Sequence, residues 1–250
     1  MTLIFSIPAQ LIETLRRAHH VVVLTGAGIS AESGIPTFRE AQTGLWAQYD
    51  PQELATPTAF QKNPHLVWQW YAWRRELAAQ AKPNPGHFAL AEMEQHIPQF
   101  TLITQNVDGL HARAGSQAII ELHGNISRIK CFDNDHEVTN WSDTEEVPPR
   151  CPRCDSLLRP DVVWFGESLP YRALQTAVSA AANCDLFFSI GTSSLVQPAA
   201  SIPVTALEHR VPTVEINPQR TPLTPYMTTV LPGPAGEVLP QLTAAAWPAR

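Results

Sequence analysis

The chain has 250 residues, of which 44% are hydrophobic and 16% charged, and its 17 basic and 23 acidic side chains give a net charge of −6. This composition supports one large domain, or one and a half, and excludes a disordered chain. The acidic balance without any Lys/Arg run argues against binding nucleic acid through phosphates. No apolar run reaches the ~18 residues of a membrane span, and four cysteines are too few for a disulfide scaffold.

Hydrophobic periodicity predicts alternating strands and helices. Helices are predicted over 8–18, 51–81, 84–96, 171–182, 198–208 and 236–246, and strands over 21–24, 100–104, 118–122, 162–165, 186–190 and 213–216. This alternation predicts a parallel sheet covered on both faces. Two segments interrupt it, the all-helical 31–83 and the strand-poor 124–160, and we expect them to form a second, smaller lobe.

A glycine-rich turn, Gly26-x-Gly28-x-x-Ala31, directly follows the first predicted strand. In dinucleotide-binding proteins the first glycine makes the tight turn and the second lets backbone N–H groups approach a pyrophosphate. A plain strand-to-loop turn has the same pattern. A dehydrogenase would add an acidic residue after a second strand about 20 residues on, but residues 44–46 are Gly-Leu-Trp and no strand is predicted there. The turn therefore predicts a phosphate site without the layout of a hydride-transfer enzyme.

Six segments, in this order, resemble the successive motifs of the sirtuins, which are NAD-dependent protein-lysine deacylases. They are TGAGISAESGIPTFR (25–39), TQNVDGLH (104–111), ELHG (121–124), VVWFGE (162–167), GTSS (191–194) and INPQ (216–219). The resemblance implies an α/β fold. A Rossmann-like NAD-binding domain would comprise 1–30, 86–123 and 161–250. A small domain of a helical module and a zinc-module-like insertion would comprise 31–85 and 124–160.

The resemblance also implies ligands and their binding residues. NAD is the implied cofactor, acylated lysines of proteins are the implied substrates, and neither nucleic acid nor a membrane is an expected partner. The residues implied to bind NAD are Gly26, Ala27, Gly28, Ile29, Phe38, Arg39, Gln105, Asn106, Asp108, Gly191, Thr192, Ser193, Asn217, Gln219 and Ala235. Those implied to contact the substrate peptide are Val162, Trp164, Phe165, Gly166 and Glu167. Since the N-terminus has no basic region before its short apolar stretch, no signal or transit peptide is expected, and we expect a cytoplasmic protein.

His123 is the predicted catalytic base. Asn106 and Asp108 would bind the nicotinamide side, where the acyl-lysine oxygen attacks the glycosidic carbon. A base must then take a proton from a ribose hydroxyl, and an imidazole with an ordinary pKa near 6.5 suits that step at neutral pH. A surface histidine after a strand is the alternative for His123, and it is the interpretation we adopt for His87 and His111.

Tyr71 and Arg74 lie three residues apart on a predicted helix and so share one face. Together they could bind a carboxylate, Arg through a charge-assisted fork and Tyr through its hydroxyl. A surface arginine beside a half-buried tyrosine is the alternative. The pair, with ATPTAF at 55–60, resembles the desuccinylase and demalonylase subgroup of sirtuins, which implies that Ala59 leaves room for a long acyl chain. Arg75 is expected to face solvent.

The zinc module of sirtuins usually has two C-x2-C pairs, and here only the second, Cys151 and Cys154, is complete. In the first pair Cys131 is present, but Asn134, a poor zinc ligand, stands at the position of the second thiolate. His136 could complete the set, and Asp133 and Asp135 are other candidates. Absence of metal is the alternative. Cys184, which precedes an apolar strand, is interpreted as a buried core thiol.

Other functions remain open at this point. Within the same fold, the alternatives are a plain deacetylase and an enzyme that transfers ADP-ribose or hydrolyses NAD. A non-catalytic NAD- or peptide-binding module is disfavoured because His123, Asn106 and Asp108 are all present. A dehydrogenase is disfavoured by the missing acidic residue and by Asn217, which lies where an adenosine ribose contact is expected.

Overall fold

The computed structural model describes residues 6–35, 49–141 and 147–248. Its helices are α1 Ala9–Arg17, α2 Pro51–Leu54, α3 Pro57–Lys62, α4 Pro64–Gln80, α5 Pro85–His96, α6 Leu110–Ala114, α7 Tyr171–Asn183, α8 Ser201–Glu208 and α9 Ala235–Ala246. Its strands are β1 His20–Thr25, β2 Gln99–Thr104, β3 Ile119–Glu121, β4 Gly124–Cys131, β5 Glu137–Val138, β6 Leu158–Val162, β7 Leu186–Ile190, β8 Thr213–Asn217 and β9 Thr229–Pro232.

Six of these strands form a parallel sheet in the order β3-β2-β1-β7-β8-β9. Numbered within the sheet, this is the 3-2-1-4-5-6 order of dinucleotide-binding folds, and it confirms the predicted fold class. The order reverses between β1 and β7, which lie side by side with Val21 opposite Leu186. Ligands of such sheets bind outside the carboxyl ends of the strands at this reversal, so the turns after β1 and β7 are where a site is expected.

Helices cover both faces of this sheet, as the alternation of elements predicts. Val21 and Val23 of β1 pack in one apolar cluster with α1, α5 and α9. Val22 and Leu24 point to the opposite face and pack with α7 and α8. Because side chains alternate along a strand, a strand buried on both faces is apolar over most of its length, and this burial explains the apolar run from Val21 to Leu24.

A second, antiparallel sheet has the order β5-β4-β6 and packs against α4. The prediction of a parallel strand over 162–165 is wrong, because β6 ends at Val162 and pairs with β4. Beyond it, Val163 N donates to His123 O (2.9 Å) and Phe165 N donates to Ala55 O (2.9 Å). Helices, not neighbouring strands, bury one side of residues 162–165. A short apolar run in a sequence does not distinguish burial by helices from burial within a sheet.

Helix starts follow the predicted signals. The Asn63 side chain accepts from Leu66 N, and Asn84 accepts from Gly86 N, each just before a proline at the first helical turn.

Among the described residues, no helix combines the length and the apolar character needed to cross a membrane. The division of the chain into two domains stays a prediction; β6 crosses its boundary between 160 and 161.

Candidate active site

Three glycines bring the turns after β1 and β7 into contact. Gly28 N donates to Gly191 O (2.8 Å), and Gly26 N donates to Ile190 O (3.0 Å). A Cβ on Gly26 would lie 2.8 Å from Gly191 O, and one on Gly28 would lie 2.7 Å from Gly191 Cα. Gly191 itself has a φ of +59°, which favours glycine. The glycine pattern thus reflects one turn packing on another, and the Gly28 N–H is already bonded within the protein.

Polar side chains after β2 lie directly against the first turn. Asn106 Nδ2 donates to Gly26 O and to Ser30 Oγ, both at 3.1 Å. Ser30 Oγ donates to Asp108 Oδ2 (2.7 Å), and Leu110 N donates to Asp108 Oδ1 (2.9 Å). Burial raises the pKa of Asp108, and the bonds from Leu110 and Ser30 oppose that shift. The predicted pair Asn106 and Asp108 is therefore held in one network, in the crevice between the turns that follow β1 and β7.

His123 follows β3 and is half-buried beside this network. Its Nδ1 lies 2.8 Å from Gln105 O, and since a carbonyl oxygen only accepts, Nδ1 bears the hydrogen. Nε2 therefore keeps a free lone pair. Burial lowers the pKa of His123, and the bond to Gln105 opposes this shift. The imidazole is neutral at pH 7 and is able to accept a proton at Nε2.

The ends of β2, β7 and β8 are connected through Thr192. Gln105 Nε2 donates to Thr192 Oγ1 (3.0 Å), and Asn217 Nδ2 donates to Thr192 O (2.9 Å). Gln219 N donates to Asn217 Oδ1 (3.3 Å), which keeps the INPQ segment at the same edge of the sheet. Ala235, at the start of α9, is buried.

This crevice fits a dinucleotide by the chemistry of its groups. Amide and hydroxyl side chains converge at the sheet reversal, where such ligands bind. Ser194 Oγ is buried without a hydrogen-bond partner among the described residues, and its backbone φ is +55°. A buried hydroxyl of this kind costs free energy unless a ligand or water completes it. Phe38 and Arg39, also predicted to bind NAD, lie outside the described residues.

Tyr71 and Arg74 share one side of α4, as predicted. Tyr71 is 1% exposed, and its ring centroid lies 6.2 Å from that of Trp164. The Arg74 guanidinium carbon lies 4.7 Å from the centroid of Trp70 and 5.8 Å from that of Tyr71. Burial raises the pKa of Tyr71 to about 12 against the opposing charge of Arg74, so the phenol keeps its proton. Ala59 packs against the same cluster.

The prediction that Arg75 faces solvent is wrong. Its guanidinium carbon lies 4.7 Å from the ring centroid of Trp141 and 5.4 Å from that of Trp68. The two indoles meet edge to face with centroids 5.6 Å apart. The stacking partner Trp141 follows β5, far from α4 in the chain, and helix geometry alone could not indicate it. Arg75 thus connects α4 to the small sheet and is separate from the Tyr71 side of the helix.

The segment from Val162 to Glu167 lies next to both His123 and α4. Val162 and Trp164 are buried, whereas Phe165 and Gly166 are exposed. Gly166 has a φ of +88°, so the chain turns back at this point. The Glu167 carboxylate is bonded to neighbouring protein groups through both oxygens, and the contact of Glu167 with substrate stays a prediction.

Cys131, His136, Cys151 and Cys154 form one cluster, in which the possible ligand atoms all lie within 4.8 Å of one another. Sγ of Cys131 lies 3.4 Å from Sγ of Cys154, and Sγ of Cys151 lies 3.7 Å from Nδ1 of His136. The Asn134 amide lies beside these four residues, and its Nδ2 donates to Cys154 Sγ (3.4 Å). Three thiols and an imidazole are a donor set that suits tetrahedral structural zinc.

Two buried histidines lie behind the crevice, where surface histidines were predicted. His87 and His111 are 0% and 3% exposed, and their ring centroids are 4.9 Å apart. Asn84 N donates to His87 Nδ1 (3.3 Å), and His111 Nε2 lies 3.0 Å from Thr25 Oγ1. Burial lowers the pKa of His87 to about 4, and burial with the neighbouring His87 lowers that of His111 to about 3.

We expect this pair to destabilise the protein in acid. Both pKa values are lower in the folded state than the ordinary 6.5, so the unfolded chain binds more protons below pH 6.5. Stability is then fully present above pH 6.5 and decreases as the pH falls toward 4. The loss at pH 5 is about 2 kcal/mol per histidine. Urea unfolding at pH 7, 6 and 5 measures it.

His87→Gln should reduce the dependence of unfolding free energy on pH between 6.5 and 5. The matched control is His65→Gln, which changes an exposed histidine on α4 and should leave the dependence as in the wild type. A wild-type protein equally stable at pH 7 and pH 5 would contradict the assignment.

Comparisons with known proteins agree with this geometry. The sequence profile of the Sir2 family matches residues 26–198. The NAD-dependent protein deacylase of Aquifex aeolicus is 53% identical over 206 residues, which are 82% of this chain and 86% of that protein. NAD-dependent protein deacylase 1 of Pseudomonas aeruginosa is 49% identical over 245 residues, 95% and 98% of the two chains. A solved complex of a Sir2 homolog with NAD is 45% identical and superposes with a TM-score of 0.91 over 98% of this chain and 96% of that one.

Proposed function

Because the chain belongs to the Sir2 family and is an NAD-dependent protein deacylase, we propose that the acyl groups it removes from lysine are acidic, namely succinyl and malonyl. The observation that supports this proposal is the pairing of Tyr71 and Arg74 on one side of α4. The products would be nicotinamide, the O-acyl-ADP-ribose and free lysine.

The surroundings of the pair favour a carboxylate. Phe60, Trp70 and Trp164 form an apolar wall around Tyr71. On this wall a guanidinium and a neutral phenol lie side by side, and both can donate hydrogen bonds to one carboxylate. A succinyl or malonyl chain ends in a carboxylate that can accept from both, whereas an acetyl chain ends in a methyl group. Ala59, with its small side chain, leaves room for the longer chain.

The roles proposed for the catalytic residues follow from their bonds. NAD, when bound, supplies a glycosidic bond to nicotinamide that the acyl-lysine oxygen can attack. Asn106 and Asp108, fixed by Ser30, would hold the nicotinamide side. His123 would take the proton of a ribose hydroxyl at Nε2, since its Nδ1–H is bonded to Gln105. This proton transfer lets the hydroxyl attack the acyl carbon.

We also propose that zinc is bound by Cys131, His136, Cys151 and Cys154. The proximity of the four ligand atoms supports this set, and His136 would take the place of the usual fourth thiolate. Trp68 of α4 packs in the same apolar cluster as Cys131 and Cys151. The metal would therefore stabilise the surface on which α4 lies.

Elemental analysis of protein purified without chelator should give about one zinc per chain. His136→Ala should weaken zinc binding and lower Tm, because structural zinc contributes folding free energy directly. Asn134→Cys, which restores the usual cysteine pair, should recover zinc binding in the His136→Ala background. Zinc content and Tm before and after EDTA measure both effects. If His136→Ala keeps its zinc as tightly as the wild type, His136 is not a ligand.

A panel of peptides that differ only in the acyl group tests the proposed function. With NAD and a succinyl-lysine peptide, mass spectrometry should detect nicotinamide and O-succinyl-ADP-ribose. The succinyl and malonyl peptides should react with a higher kcat/KM than the acetyl peptide. Preference for the acetyl peptide would identify a plain deacetylase, and NAD consumption without deacylation would identify NAD hydrolysis or ADP-ribosyl transfer.

A further inference from the structure

We propose that Arg159 is a positioning residue for deacylation, and that it holds the segment 162–167 in register with His123. The proposal rests on the proposed role of this segment in binding acyl-lysine. Arg159 lies on β6 and is only 2% exposed. A charged side chain is rarely so buried unless it is paired.

The Arg159 guanidinium is bonded to both ends of the segment. Nη1 and Nη2 donate to the two carboxylate oxygens of Glu167 at 2.5 and 2.9 Å and so form a bidentate ion pair. Nη2 also donates to Val162 O (2.7 Å). Burial raises the pKa of Glu167, but the bonds from Arg159 and from Trp164 N outweigh burial and lower it overall. The pair is therefore ionised, and it closes the segment into a loop.

The same group also fixes the middle of the loop. The guanidinium carbon lies 3.3 Å from the ring centroid of Trp164, and Trp164 N donates to Glu167 Oε2 (2.7 Å). This indole also belongs to the apolar wall around Tyr71, since its ring centroid lies 5.3 Å from that of Phe60 and 6.2 Å from that of Tyr71. Arg159 thus contacts one side of the proposed acyl-binding site.

The loop in turn touches the catalytic residue. Val163 N donates to the backbone oxygen of His123, and Phe165 N donates to that of Ala55, both at 2.9 Å. A shift of the loop would change the distance between His123 and an acyl-lysine bound along it. NAD affinity should change little, because the bonds described above that shape the crevice between β1 and β7 are made by Gly26, Gly28, Gln105, Asn106 and Asn217, none of which belongs to this loop.

Lysine cannot replace Arg159 in this arrangement. Its ammonium is a point charge without a planar fork, so it cannot bind both oxygens of Glu167 and stack on Trp164 at once. Arg159→Lys keeps the charge and should raise KM for the acyl peptide about tenfold or more. Its NAD affinity should stay within about twofold of the wild type. Since every acyl-lysine would lie along this loop, KM should rise for the succinyl and the acetyl peptide alike.

The test compares Arg159→Lys with Arg128→Lys, using the acyl peptide that the wild type deacylates fastest. Arg128 is a matched control on the neighbouring strand, where it pairs with Glu121 and Asp161, two residues outside the loop. The KM of Arg128→Lys should stay near the wild-type value. Tm and zinc content verify folding, and calorimetry gives the NAD affinity. If Arg159→Lys does not fold, Glu167→Gln is measured with the same expected pattern.

An unchanged peptide KM in the folded variant would overturn the proposal, and so would a parallel loss of NAD affinity, which indicates a general structural role. Because the best wild-type peptide is used, the result does not depend on whether that peptide is acidic. A wild-type preference for acetyl-lysine would therefore refute the proposed acyl specificity and leave this test intact.

Discussion

His123→Ala should reduce turnover of the acyl-lysine peptide by roughly 10²–10⁴, the range for loss of a general base. In the wild type the Nδ1–H bond to Gln105 O directs the lone pair of Nε2 away from the backbone, so alanine removes the only proton acceptor proposed for the ribose hydroxyl. NAD affinity should remain nearly unchanged, because the crevice at Gly26 and Gly191 does not depend on the imidazole. Nicotinamide exchange should survive better than deacylation, since glycosidic cleavage precedes the proton transfer.

The pH dependence gives a second signature of the same role. Burial lowers the pKa of His123 below 6.5, and a base must be neutral to act. The acidic decline of kcat/KM should therefore lie below pH 6.5 and be absent from the residual activity of His123→Ala. His209→Ala, which changes an exposed histidine at the end of α8, is the matched control. Full deacylase activity in folded His123→Ala would rule out the assignment.

Local pattern was sufficient to predict most of the parallel sheet. β1 and β7 are buried on both faces, and both are mostly apolar, with Val21 to Leu24 in β1 and Leu186 to Phe188 in β7. The same rule failed at 162–165, because burial by helices produces an equally apolar run. β9 was missed, since its four residues alternate between exposed and buried positions at the edge of the sheet. α6 has only five residues and begins after a glycine, so it has no capping side chain to indicate it.

The site was predictable to the extent that its residues follow strands. Asn106 and Gly191 come after β2 and β7, and the carboxyl ends of parallel strands meet at one edge. Residues that act through distant partners could not be found in this way. Arg159 depends on Glu167 and Trp164 across a turn, and the burial of His87 depends on helices packing behind the sheet. The spacing around Cys131 allowed three substitute ligands, and only folding brings His136 into the cluster.

Arg74→Met should raise KM for succinyl-lysine by roughly 10- to 100-fold, because a hydrogen bond to a charged partner contributes about 1.5–3 kcal/mol and each tenfold is about 1.4 kcal/mol. Methionine keeps the apolar contact with Trp70 and removes the cation. Tyr71→Phe removes one hydroxyl and should cost less. Acetyl-lysine activity should stay within a few fold in both variants, since the acetyl methyl needs neither group.

The ratio of succinyl to acetyl kcat/KM is the quantity to measure, because any general loss of folding or NAD binding cancels in it. Arg75→Met is the matched control: it removes the neighbouring arginine of α4, which stacks on Trp68 and Trp141 instead of Tyr71. Its ratio should equal that of the wild type even if its Tm is lower. If Arg74→Met lowers the succinyl and the acetyl kcat/KM by the same factor, the role of Arg74 is structural, and Arg74 does not bind the carboxylate of an acyl chain.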